Sequence, residues 1–181
     1  MLSITNDGSS VRYFKNGTVI YTSLIAPSSS YYFQAAAFNV SNLSVLASSA
    51  GLKSVTFGPM GPAGISNWTP IFAGSPPPTY DGATSSFSRV SGTTGYTQQV
   101  YSKESYRTAY VSGSKTTTGN NVIFGLSSSP TSGTPYDSVT FGWLLEGQDG
   151  YASLLSRSDK AGTHRYARDL TKQVRIATFA F

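Results

Sequence analysis

Val11-Arg12-Tyr13-Phe14-Lys15-Asn16-Gly17-Thr18-Val19-Ile20-Tyr21-Thr22 is the stretch from which the fold class can be read. Two runs rich in β-branched and aromatic residues flank Asn16-Gly17. A two-residue hairpin turn needs positive φ at both central positions, which Asn-Gly tolerates best. The spacing therefore predicts a strand over 11–15, a second over 18–22 and a tight turn between them. Asn6-Asp7-Gly8 predicts a similar turn just before, so this part of the chain reads as a meander.

The same pattern continues outward from the hairpin. After a loop containing Pro27-Ser28-Ser29-Ser30, residues 31–38, 43–46 and 53–57 read as strands. Residues 68–72 are a short apolar run, and Pro76-Pro77-Pro78 imposes an extended loop. Strands are predicted over 96–101, 106–112 and 122–126. In the second of these, Ala109 and Val111 share one face while Tyr106, Thr108 and Tyr110 share the other. Val139, Phe141, Trp143 and Leu145 alternate with Thr140, Gly142, Leu144 and Glu146, which predicts a strand with one strongly apolar face. Residues 151–155 and 174–181 complete the set, and no helix of ordinary length is readable. The expectation is an all-β antiparallel fold.

Composition supports a packed chain. Of 181 residues, 39% are hydrophobic and only 12% charged, which is not the highly charged pattern that stays disordered. There is no cysteine, so disulfides and thiolate metal sites are excluded. Met1-Leu2-Ser3-Ile4-Thr5-Asn6-Asp7 has neither a basic region nor an apolar core, so no secretory signal is expected. No apolar run approaches the roughly 18 residues of a membrane-spanning helix. Work outside a cell would require another exit route, such as a released particle.

The net charge of +5 is unevenly placed. Arg157, Lys160, Arg165, Arg168, Lys172 and Arg175 stand against Asp159 and Asp169, a net +4 in one short stretch. Such a stretch attracts nucleic acid, anionic lipid or acidic glycan, or it guards a strand edge against unwanted pairing. Both readings stand at this point.

Gly58-Pro59-Met60-Gly61-Pro62-Ala63-Gly64 places glycine at every third position with proline after the first two. That is the collagen period, in which only glycine fits at the crowded axis. A stiff, extended proline-rich connector is the other reading. The sequence divides accordingly into 1–57, a connector over 58–66, and 67–181.

Catalytic constellations are sparse. His164 is the single histidine, which excludes paired-histidine metal motifs. Glu146 and Asp149 straddle a Gly-rich turn and read as turn residues, not as the carboxyl pair of a glycosidase. Asn6-Asp7-Gly8-Ser9 lacks the further carboxylates of a calcium loop. No enzyme activity and no cofactor are therefore expected. Aromatic residues make up 13% of the chain, and aromatic faces suit sugar rings. The candidate glycan-binding residues are Tyr106 and Tyr110, on the less apolar face of their strand, and the basic-aromatic cluster Arg165, Tyr166 and Arg168. For the tyrosines, a subunit interface or cross-strand packing is the alternative.

Three groups of residues carry a family resemblance. Val122-Ile123-Phe124-Gly125-Leu126-Ser127, then Val139-Thr140-Phe141-Gly142-Trp143, then Arg165-Tyr166 to Val174-Arg175-Ile176 resemble the strand series of a concanavalin-like jelly roll. Jelly rolls of this type decorate phage tail fibres and other virion adhesins. In such domains a Val-x-Tyr-x-Lys-Asn-Gly-Thr hairpin comes next; here it stands first, at Val11 to Thr18. The resemblance implies that 1–57 is the last part of a β-sandwich and 67–181 the first. Three arrangements would explain that order: a permuted domain, halves completed between neighbouring chains, or a piece of a tandem array. The implied role is a structural and adhesive module of a virion fibre, homotrimeric or otherwise homo-oligomeric, binding host surface polysaccharide. A carbohydrate-binding module of a secreted or surface protein is the alternative, with a capsule depolymerase behind it and a nucleic-acid binder last; no nucleic-acid partner and no membrane insertion are expected.

Overall fold

The computed structural model describes residues 1–27, 29–39, 51–60, 66–90, 95–115, 121–130, 138–145, 151–156 and 174–175. Its elements are β-strands. They are β1 (Leu2–Asn6), β2 (Val11–Lys15), β3 (Thr18–Thr22), β4 (Tyr31–Asn39), β5 (Gly51–Pro59), β6 (Pro70–Ala73) and β7 (Thr79–Asp81). They continue with β8 (Ser86–Ser88), β9 (Gly95–Tyr106), β10 (Ala109–Lys115), β11 (Val122–Ser127), β12 (Phe141–Leu145), β13 (Tyr151–Ser156) and β14 (Val174–Arg175).

The strands form two antiparallel sheets. The first runs β3-β2-β1-β10-β5-β8-β7 and the second β14-β13-β12-β11-β4-β9-β6. The chain passes repeatedly between them, so residues on both sides of the Gly-Pro stretch contribute to both sheets. β10 lies between β1 and β5, with Ile4 opposite Val111 and Val111 opposite Phe57. β4 lies between β11 and β9, with Ala35 opposite both Phe124 and Val100.

Alternation explains the packing. Leu2, Ile4, Val11, Tyr13, Phe57, Ala109 and Val111 of the first sheet are buried in one cluster with Phe33, Val100, Phe124, Phe141 and Trp143 of the second. Burial of such side chains stabilises by about 1.5–3 kcal/mol each. Trp143 meets Tyr13 edge to face at 5.6 Å, and its Nε1 donates to the Ser3 carbonyl at 3.3 Å. The Tyr13 hydroxyl donates to the Leu155 carbonyl across the sheets. That burial raises the Tyr13 phenol well above the ordinary range, with the Tyr21 charge as a lesser cause. Phe141 and Trp143 are thus core residues, as their alternation predicts.

The hairpin forms as the sequence predicts, with φ of 50° at Asn16 and 81° at Gly17. Asn16 Oδ1 also accepts from the Met1 ammonium at 2.8 Å. Between β11 and β12 the opposed residues Gly125 and Gly142 face away from the main core. On that outer side Ala36, Ile123, Val139 and Leu144 form a second, small buried cluster. Gln34 Nε2 donates there to Gln99 Oε1 at 2.9 Å.

Several expectations change. Residues 106–112 are not one strand: Tyr106 ends β9 in the second sheet and Ala109 begins β10 in the first. Asn6 Nδ2 donates to the Arg107 carbonyl at 2.9 Å, which fixes the crossing. Gly58 and Pro59 belong to β5, paired with Tyr110 and Ala109, and are not connector. Proline is tolerated at a strand's end because little pairing is lost there. The Asn67 amide donates to the Phe57 carbonyl at 2.9 Å, so the two ends of the intervening stretch meet. Positions 61–65 lie outside the described residues, as do the strand expected over 43–46 and most of that expected over 174–181.

Candidate functional site

Tyr106 and Tyr110 occupy different places. The Tyr106 ring lies 5.3 Å from that of Phe57, tilted at 50°, and its hydroxyl donates to the Asn67 carbonyl at 2.6 Å. Desolvation, and after it the Glu104 charge, raises the Tyr106 phenol above its usual range. Tyr106 therefore ties β9 to the chain leading into β6. Tyr110 instead stands on the outer face of the first sheet. Arg165, Tyr166 and Arg168 lie outside the described residues, as do His164, Glu146 and Asp149. The structure does not bring the two tyrosines into one face.

The register sets out the outer face of the first sheet in two rows. One runs Val19, Phe14, Ser3, Ser112, Thr56; the other runs Thr22, Arg12, Thr5, Tyr110, Gly58. Ser3, Thr5 and Ser112 are buried at its middle. Large side chains flank this hydroxyl floor, and Val19 is 47% exposed. Arg12 pairs with Asp7 at 2.9 Å at one end. Asp7 is held by its own turn. Its carboxylate accepts from the Ser9 hydroxyl and amide and from Ser10, which keeps it well below the usual carboxylate range. Asp7 thus serves its turn and Arg12. Among the described residues no three His, Cys, Asp or Glu side chains are grouped to hold a metal.

A second surface lies on the rim where both sheets end. β6 is the edge of the second sheet and β7 the edge of the first. Phe72 stands opposite Val100, and Tyr80 opposite the buried Phe87, so both rings come from inner faces. Their centroids are 5.8 Å apart. Trp68 completes the group, 5.9 Å from Tyr80 and 4.9 Å from Phe33 beneath. Trp68 and Tyr80 are half-buried, while Phe72 is 37% exposed. The rings close the open side of the core and also show part of their surface to solvent. The sequence signal for this site was present but diffuse: residues 66–80 contain three aromatic rings and no charged side chain.

No family model, no curated protein and no solved structure matches this chain. The reading of function therefore rests on the residues themselves.

Proposed function

We propose that this chain is a structural and adhesive module of a phage virion fibre, a tail fibre or spike, located in the virion. It binds host surface glycan and assembles with further copies of itself, as a trimer or another homo-oligomer. Its sandwich is a concanavalin-like jelly roll in permuted order, with 1–57 as the part that ordinarily comes last and 67–181 as the part that comes first. The interleaving of β10 between β1 and β5, and of β4 between β11 and β9, supports a permutation completed within one chain. No catalytic step is assigned to it.

The observation that carries the assembly reading is the outer face of the first sheet. Val19 and Met1 are 47% and 59% exposed beside Phe14 on a surface whose ion pair lies at one end. Exposed apolar side chains at one end of this face, next to buried hydroxyls, suit contact with a further protein surface. The test is the mass of the chain in solution by light scattering. Three copies, reduced to one by Val19→Asp, is the expected result. A monomer at every concentration would overturn the fibre reading. The aromatic rim favours a second reading, a carbohydrate-binding module of a secreted or surface protein, which predicts glycan binding by a monomer.

A further inference from the structure

We propose that the rim formed by Trp68, Phe72 and Tyr80 is a platform for the ring of an uncharged sugar within a neutral glycan. The inference rests on the adhesive reading and assigns it a place and a ligand class.

Three observations lead there. The first is chemical. Aromatic rings with part of their surface in water present an apolar face with a negative quadrupole, which attracts the polarised C–H groups of a sugar. The second is electrostatic. Residues 66–80 carry no charged side chain, and the nearest carboxylates are committed. Asp81 accepts from the Ala83 amide at 2.9 Å and the Thr84 hydroxyl at 2.6 Å. Glu104 accepts from the Thr69 amide at 2.6 Å and the Thr69 hydroxyl at 2.7 Å. The rim segment thus carries no charge of its own, and the cation beside it is the single exposed Lys103, whose amide donates to the Thr69 carbonyl at 2.9 Å. The rim does offer hydroxyls and the exposed Asn67 amide, whose side chain has no hydrogen-bond partner among the described residues. Weakly polar groups around aromatic faces match a ligand that is itself uncharged and rich in hydroxyls.

The third observation separates a sugar from a further protein chain. Docking of a strand would require a long open edge with regular amides. β6 has four residues and begins at Pro70, and β7 has three and follows Pro76-Pro77-Pro78. Short edges bounded by proline resist strand addition. Gly74 links them with φ of +116°, and a Cβ there would lie 2.3 Å from the Thr97 carbonyl oxygen. The edge is thus pinned against β9 and leaves the rings, not the backbone, to make contact.

The test is affinity electrophoresis of the whole chain through gels containing dextran, mannan or laminarin, with alginate as the anionic control. Trp68 supplies a second readout, because its fluorescence responds at the rim while Trp143 is fully buried. Retardation by at least one neutral polymer is expected, with a shift in Trp emission and little effect of salt. Phe72→Ala should weaken it about tenfold, and Phe72→Tyr should restore it. The proposal is overturned if no neutral polymer retards the chain, if alginate alone does, or if Phe72→Ala binds as before. It is also overturned if Phe72→Ala instead lowers the oligomeric mass, because the rim would then be a contact between copies. A monomer retarded by mannan would refute the fibre reading and leave the platform standing; a trimer that ignores all three polymers would do the reverse.

Discussion

Alanine at Gly125 and alanine at Gly113 should have opposite effects, although both glycines lie on the central strand of a sheet. A Cβ on Gly125 would lie 2.1 Å from the Phe141 carbonyl oxygen and 2.6 Å from the Gly142 Cα. Carbon and oxygen on adjacent strands are comfortable at about 3.3–3.6 Å, so the shortfall exceeds roughly 1 Å. β11 is held between β12 and β4 and has no free side toward which to move. Parting β11 from β12 would weaken two ladder hydrogen bonds of about 0.5–1.5 kcal/mol each and disturb core packing at a further 1–3 kcal/mol. The reduced freedom of the unfolded chain returns about 0.4–1 kcal/mol. A net loss of about 3 kcal/mol follows, which lowers Tm by about 6–12 °C in a chain of this size. At Gly113 the added methyl would sit 3.7 Å from Leu52 Cδ2 and 3.8 Å from Phe124 Cε2, ordinary contacts with side chains. Gly113→Ala should therefore be neutral or stabilising by up to about 1 kcal/mol. Urea unfolding followed by tryptophan fluorescence measures both. Equal losses in the two variants, or a loss under about 1 kcal/mol at Gly125, would refute the argument from strand spacing.

Two further outcomes follow from buried polar groups. Tyr13→Phe keeps the ring against Trp143 but removes the donor to the Leu155 carbonyl, and should cost about 1–3 kcal/mol in the same urea assay; an unchanged midpoint would mean that water replaces the hydroxyl. Burial pushes Lys115 down to about 8 from the usual 10.5, so between these values the unfolded chain binds more protons than the folded one. Stability should rise with pH across that window, and Lys115→Met should flatten the rise in thermal melts at pH 8, 9 and 10; a wild-type slope that persists in the variant would assign it to other groups.

Local signals were legible and lateral ones were not. Asn16-Gly17 announced its hairpin because the turn's dihedral angles are a property of two adjacent residues. The alternation around Trp143 announced a core strand for the same reason. β7 and β8 went unread because three residues carry no measurable period. Residues 106–112 read as one strand because alternation is blind to a change of sheet. The crossing at Arg107 depends on Asn6, about a hundred positions away. The aromatic rim could not be assembled from sequence because Phe72 and Tyr80 meet only once β6 and β7 are both placed as edges. The two tyrosines read as site residues separated for the reason the strand did: one alternating pattern spans two sheets.

The position of β10 also bears on how the chain is made. β1 pairs at once with β2, but its other flank is occupied by β10, with Leu2 opposite Gly113. A ribosome adding about 5–20 residues per second needs roughly 5–20 s to supply that partner. Throughout that interval the nascent meander carries an unpaired, apolar strand flank, the surface most prone to pairing with a neighbouring nascent chain. Productive synthesis therefore depends on keeping these intermediates apart, and crowding many ribosomes on one message would work against yield before any folded molecule existed.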